Sequence, residues 1–161
     1  MILFFLRHGE AGMNFPSDFE RELTDGGIGA SHSIGGFCKK TGITFTHIIS
    51  SPLMRAKQTA QVIVQKFPGM TMEESELLTP NADPKNLFNF LRSFTSSSKI
   101  LLVTHEPFVS NFISTLISGT ETVNIIMRPT TFACVETTGS PARGNGKLLW
   151  LVPSELIQQI V

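Results

Sequence analysis

Arg7, His8, Arg55 and His105 are the side chains of this chain best suited to do chemistry. An arginine offers a planar, permanently charged fork of N–H donors that matches the oxygens of an oxyanion, and an imidazole supplies a lone pair or a proton near neutral pH. All four follow runs that read as strands. Ile2-Leu3-Phe4-Phe5-Leu6 precedes Arg7-His8-Gly9, Thr46-His47-Ile48-Ile49-Ser50-Ser51-Pro52 precedes Arg55, and Lys99-Ile100-Leu101-Leu102-Val103-Thr104 precedes His105. A cation, an imidazole and a glycine in succession cannot continue an apolar strand, so the chain must emerge there to where charge is solvated or met by a ligand. Brought together, two arginines and two imidazoles make an anion pocket.

The elements that would position them follow from the same patterning. An unbroken apolar run predicts a first strand buried on both faces. Met54 to Phe67 reads as a helix with Arg55 in its first turn, begun after the break at Pro52, and Phe108 to Ser118 reads as another. In an open, mostly parallel sheet, ligands bind outside the carboxyl ends of the strands, so Arg7, His8, Arg55 and His105 are expected to converge. Between the first two strands lies a polar loop, Gly12 to Arg21. A helix then runs to Lys40, with Thr24 as N-cap and Gly42 as stop, although Gly29, Gly35 and Gly36 each cost it about 1 kcal/mol. Pro84 to Phe94 suits a helix closed by Ser96-Ser97-Ser98. Phe132 to Thr137 and Leu148 to Val152 suggest two further strands, one an antiparallel edge. The expected architecture is α/β in three layers: a mostly parallel sheet flanked by helices, in one domain over residues 1–161.

Composition narrows the function classes. Apolar residues make up 41% of the chain, enough for a sizeable core. Basic and acidic residues balance at 13 each, which argues against bulk attraction to nucleic acid or to an anionic membrane. Cys38 and Cys134 have no metal-ligand spacing and read as packing thiols of a reducing compartment. No run reaches membrane-spanning length and Met1-Ile2 lacks a basic leader, so a cytoplasmic location is expected. His32 and His47 lie within regular elements, where they pack or face water. Pro141-Ala142-Arg143-Gly144-Asn145-Gly146-Lys147-Leu148 fails as a P-loop, with Pro141 in place of the first glycine and Leu148 in place of Ser or Thr; it reads as a surface turn. No carboxylate cluster suits a two-metal centre, so neither metal nor organic cofactor is expected.

At Arg7-His8-Gly9-Glu10 the chain resembles the histidine phosphatase superfamily, the phosphoglycerate-mutase-like group, whose hallmark is an Arg-His-Gly triplet after the first strand. The likeness continues through Ser50-Ser51-Pro52-Leu53-Met54-Arg55-Ala56-Lys57-Gln58-Thr59-Ala60 and Val103-Thr104-His105-Glu106-Pro107. In length, in Arg21-Glu22-Leu23-Thr24, in Leu78-Thr79-Pro80 and in the tail from Phe132-Ala133-Cys134-Val135 through Trp150, it resembles the SixA-type phosphohistidine phosphatases. The resemblance implies a phosphoglycerate-mutase-like fold and two-step phosphoryl transfer. His8 would be the nucleophile, and Arg7, Arg55 and His105 would hold the phosphoryl oxygens. Asn14 would be a secondary phosphate ligand, with Glu106 beside the second histidine as a further substrate contact. Arg21 reads either as a loop brace or as a substrate contact.

Mutases of this group carry an inserted lid and a glutamate acid, but the span from Arg55 to His105 leaves little room for a lid. An open site favours hydrolysis over mutase chemistry. It also suits a protein-borne phosphohistidine, whose imidazole leaves with little need of an acid. Should an acid exist, Glu76 and Asp83 are the candidates, with Glu10 ambiguous. The implied partner is a phosphohistidine-bearing phosphotransfer protein, with phosphate or a mimicking anion at the site. The alternatives are a small-molecule phosphomonoesterase of the same group and a phosphate-binding module without turnover.

Overall fold

The computed structural model describes residues 1–160. Its centre is a six-stranded sheet in the order β3-β2-β4-β1-β5-β6. The strands are β1 (Ile2–Arg7), β2 (His47–Ser50), β3 (Met72–Glu74), β4 (Lys99–Thr104), β5 (Phe132–Thr137) and β6 (Gly146–Val152). The first four run parallel, β5 pairs antiparallel with β1, and β6 closes that side antiparallel to β5. The helices are α1 (Asp25–Lys40), α2 (Met54–Val64), α3 (Pro84–Leu91), α4 (Phe108–Ser118) and the short α5 (Ser154–Ile157), with 3-10 turns at Asp18–Glu20 and Glu76–Leu78.

β1 shows why the sheet has two covered faces. Its side chains alternate, so Leu3 and Phe5 enter one core with Leu87, Phe88, Phe112 and Ile113 of α3 and α4. Phe4 and Leu6 enter the other, with Ile34 of α1, Ala56 and Ile63 of α2, and Ile157 of α5. A strand sandwiched in this way has no polar face, which is what its unbroken apolar run records. Cys38 and Cys134 are both free and buried in the second core, and burial pushes the Cys38 thiol up to about 12. His32 is exposed, and His47 lies edge-on to Phe94 with ring centroids 4.7 Å apart. Among the described residues no helix is long and apolar enough to cross a membrane.

Several boundaries differ from the sequence reading. α2 stops at Val64 and α3 at Leu91, because the following residues tighten into i→i+3 turns: Phe67 N–H donates to Val64 O at 2.8 Å, and Phe94 N–H to Leu91 O at 3.3 Å. β6 begins two positions earlier than expected, at Gly146, and pairs with β5 across an irregularity at Cys134/Val135. β3 and α5 have no counterpart in that reading.

The glycines of α1 are less uniform than their helix cost implies. A Cβ on Gly27 would overlap the Glu10 carbonyl oxygen, and one on Gly9 would come within 2.8 Å of the Gly27 carbonyl. These two glycines let the loop after β1 lie directly on the start of α1. A Cβ on exposed Gly29 would meet nothing within 4 Å. Gly27→Ala is therefore expected to cost about 1–3 kcal/mol by overpacking, whereas Gly29→Ala gains about 1 kcal/mol from helix propensity. Chemical denaturation of the two variants should show shifts of opposite sign; a stabilised Gly27→Ala would refute the close approach.

Candidate active site

Because β1, β2 and β4 are parallel neighbours, they deliver their C-terminal residues to one edge. Arg7 lies opposite Thr104, and the ladder runs one residue further, with His8 N–H donating to the Thr104 carbonyl at 3.0 Å. The His8 and His105 rings stand 4.8 Å apart between centroids. Arg55, in the first turn of α2 and only 4% exposed, reaches into the same space and donates from Nε to His8 Nε2 at 3.1 Å. Arg7, His8, Arg55 and His105 thus form one cluster.

The hydrogen bonds assign the His8 proton. Nδ1 lies 2.7 Å from the Gly9 carbonyl, which can only accept, so Nδ1 carries the hydrogen. Nε2 is left with its lone pair, directed at Arg55 Nε–H. Burial lowers the His8 pKa to about 4; the Gly9 carbonyl opposes the shift, and Arg55, Arg7 and Arg21 add to it. The imidazole is therefore neutral across the ordinary histidine range. Protonation would remove the lone pair, so kcat/KM is expected to stay level through pH 6.5 and to fall only as pH drops towards about 4. The same shift makes the folded state lose stability as pH falls from 6.5 to about 4, where the unfolded chain binds the proton first. A pH–rate profile with an acid limb near 6.5 would count against this environment.

Among the described residues, two of the four buried side-chain polar atoms without a hydrogen-bond partner belong to this cluster: Arg7 Nε and His105 Nδ1. Arg7 is braced on its other side, donating from Nη1 to the Met127 carbonyl at 2.8 Å. His105 shares a hydrogen bond of 2.7 Å between Nε2 and Ser51 Oγ, and burial first, then His8 and Arg55, lower its pKa. Unpartnered buried polar groups are rare in folded proteins, so a pair of them beside a neutral imidazole marks a place made for a ligand.

Residues that the sequence reading did not single out hold the cluster. Gly9 N–H donates to Thr59 Oγ1 at 3.0 Å, and Thr59 Oγ1 donates to the Arg55 carbonyl at 2.7 Å, tying the loop to α2. Gln58 Oε1 accepts from Leu23 N–H at 2.7 Å. Thr130, with a φ of 54°, directs its N–H at the carbonyls of both Arg7 and His8, at 3.1 and 3.2 Å. Asp18 contacts Arg55 directly: Arg55 Nη2 donates to Asp18 Oδ2 at 3.0 Å and Nη1 to the Asp18 carbonyl at 2.6 Å. The only sequence sign of Asp18 is its i,i+3 spacing from Arg21, whose Nη1 donates to Asp18 Oδ1 at 3.0 Å.

The remaining candidates sit further out. Arg21 braces its loop, donating from Nε to the Gly12 carbonyl at 2.8 Å, and its charge reaches His8. Asn14 is exposed on the same loop. Glu106, half-buried, accepts from Ser110 Oγ at 2.6 Å and supports the charge on Arg7. Glu10 accepts from Thr24 Oγ1 at 3.1 Å, and Asp83 caps α3 by accepting from Lys85 N–H at 2.9 Å. Glu76 is exposed on its 3-10 turn. Among the described residues, no hydrogen bond or ion pair joins the Glu76 or Asp83 carboxylate to the cluster.

The sequence of the histidine phosphatase superfamily (branch 1) matches residues 3–79, which carry Arg7, His8 and Arg55. The solved structure of the protein histidine phosphatase SixA complexed with tungstate superimposes with a TM-score of 0.87 at 25% identity, covering 98% of this chain and 99% of that one. Over residues 3–79 the chain resembles the histidine phosphatase superfamily, and along nearly its whole length it resembles SixA. Phosphohistidine phosphatase SixA of Escherichia coli (strain K12) is 29% identical to this chain over 154 residues, 93% of this chain and 92% of the relative. The alpha-ribazole phosphatase of Shigella flexneri, at 14% identity and a TM-score of 0.74, covering 96% of this chain and 97% of its own, shares this fold.

Proposed function

We propose that this protein is a phosphohistidine phosphatase that takes the phosphoryl group of a protein histidine onto His8 Nε2 and then releases it to water. The observation that carries the reading is the His8 tautomer: Nδ1–H is committed to the Gly9 carbonyl, leaving the Nε2 lone pair beside Arg55 Nε and the unpartnered Arg7 Nε and His105 Nδ1. In the first step His8 Nε2 forms a bond to phosphorus while the substrate P–N bond breaks. Arg7, Arg55 and His105 hold the equatorial oxygens, where charge accumulates. In the second step water attacks phosphorus from the side the substrate imidazole has left, and His8 departs as neutral imidazole. Asn14 and Glu106 are the remaining candidate substrate contacts.

The substrate class rests on likeness and on openness. SixA matches this chain along nearly its whole length, and tungstate, bound in the SixA structure, is a tetrahedral oxyanion like phosphate. Between Arg55 and His105 the chain builds only the rest of α2, β3, a 3-10 turn, α3 and β4, so no separate lid covers the edge. The loop over the site exposes Met13 and Phe19, apolar side chains that a phosphoprotein can cover and a small phosphoester cannot. The physiological substrate is accordingly a phosphotransfer protein of a phosphorelay.

Steady-state assays on a phosphohistidine-bearing domain, an aryl phosphate and an alkyl phosphate test this. The phosphohistidine domain should exceed the alkyl phosphate in kcat/KM by at least about a hundredfold, roughly 2.7 kcal/mol, with the aryl phosphate between. Equal or better turnover of alkyl phosphates would replace the reading with a small-molecule phosphomonoesterase, and anion binding without any turnover would replace it with a binding module.

A further inference from the structure

Each nitrogen of the Arg55 guanidinium already has a partner in this structure. Its Nε donates to His8 Nε2 at 3.1 Å, its Nη1 to the Asp18 carbonyl at 2.6 Å and its Nη2 to Asp18 Oδ2 at 3.0 Å. Asp18 thus occupies the Arg55 fork in the way two phosphoryl oxygens would. It does so from a 3-10 turn with no buried residue, and its own side chain is 60% exposed at the mouth of the site. Burial would raise its pKa, but the hydrogen bonds from Arg55 and Arg21 hold the carboxyl below its usual value, so it is an anion at neutral pH.

A phosphoryl group that takes the Arg55 fork must displace this carboxylate, and the Asp18 carbonyl oxygen with it. The displaced group cannot go far, because Arg21 holds Oδ1 at 3.0 Å and is itself fastened to the Gly12 carbonyl at 2.8 Å. An anion is thereby kept beside the incoming phosphoryl dianion, and like charges at such a spacing oppose one another. A substrate escapes that penalty only if its leaving group places positive charge against the carboxylate. A histidine phosphorylated on one ring nitrogen does so when the other ring nitrogen is protonated.

Resting on the phosphohistidine reading, we infer that Asp18 selects substrates with a cationic imidazolium leaving group and rejects neutral alkyl and aryl ones. The chemistry balances without an acid. His8 Nε2 forms its bond to phosphorus, the substrate P–N bond breaks, and its electron pair cancels the positive charge of the ring. The imidazole leaves neutral, its remaining N–H still donated to Asp18, and the protein transfers no proton.

The test is kcat/KM of Asp18→Asn and Asp18→Ala on a phosphohistidine-bearing domain and on an aryl phosphate, with tungstate affinity measured beside it. Both variants should lose about tenfold on the phosphohistidine domain, gain about tenfold on the aryl phosphate and bind tungstate more tightly, so that selectivity collapses about a hundredfold. A carboxylate that merely braced the loop would move both substrates in the same direction; parallel losses, or no change on either, overturn the inference while the wild type still hydrolyses both. A wild-type protein that turns over the aryl phosphate and not the phosphohistidine domain overturns the reading beneath it and this inference together.

Discussion

His8→Ala is expected to lose at least about four orders of magnitude in turnover, because it removes the atom that forms the bond to phosphorus. The loss should be chemical and not structural. The backbone bonds that fix the position of His8, from its own N–H to Thr104 O and from Thr130 N–H to its carbonyl, survive the substitution. Rapid quenching of the wild-type protein with labelled phosphodonor should trap an acid-labile, base-stable phosphoryl group on His8, absent from the alanine variant. Label found on His105, or turnover persisting in a folded His8→Ala protein, would reverse the assignment of the two imidazoles.

Arg55→Ala should lose about 2.7–4 kcal/mol of transition-state stabilisation, some hundred- to thousandfold in kcat/KM. Arg55→Lys should recover little, remaining at least about 2 kcal/mol down, because an ammonium cannot reproduce a planar fork that spans two phosphoryl oxygens. A second readout separates this from simple damage. Arg55 lowers the His8 pKa through its charge, so its removal should move the acid limb of the pH–rate profile upward from about 4. A folded Arg55→Lys protein with near-normal activity would place the guanidinium outside the reaction.

What could be read in advance, and what could not, divides along the range of the forces involved. β1 and β4 were legible because double-sided burial leaves an unbroken apolar run that ends where charge begins, and those ends carry Arg7, His8 and His105. α1 was legible from its Thr24 cap, since the cap bond to Gly27 N–H is a local matter of three residues. β3 was not, because Met72-Glu73-Glu74 is a short edge whose side chains are largely exposed and so carry no apolar pattern. Asp18 was not, because its importance lies in Arg55, which only the folded chain brings to it. Ser51 stood in plain sight within its motif, yet its bond to His105 depends on β2 and β4 being neighbours in the sheet.

The adjacency of β1 and β4 has a consequence for how this catalyst can be altered. Neighbouring strands are held about 4.8 Å apart by their peptide hydrogen bonds, and the two imidazoles hang from adjoining rungs at the same separation, 4.8 Å between ring centroids. Their backbone spacing is therefore inherited from the peptide unit, and the bonds to the Gly9 carbonyl, Arg55 and Ser51 turn the rings upon it. Directed evolution of the protein should find that backbone interval almost immovable, and new substrate scope should arise in the stretch from Ala11 to Arg21, which leans on no core and sets only what stands at the threshold.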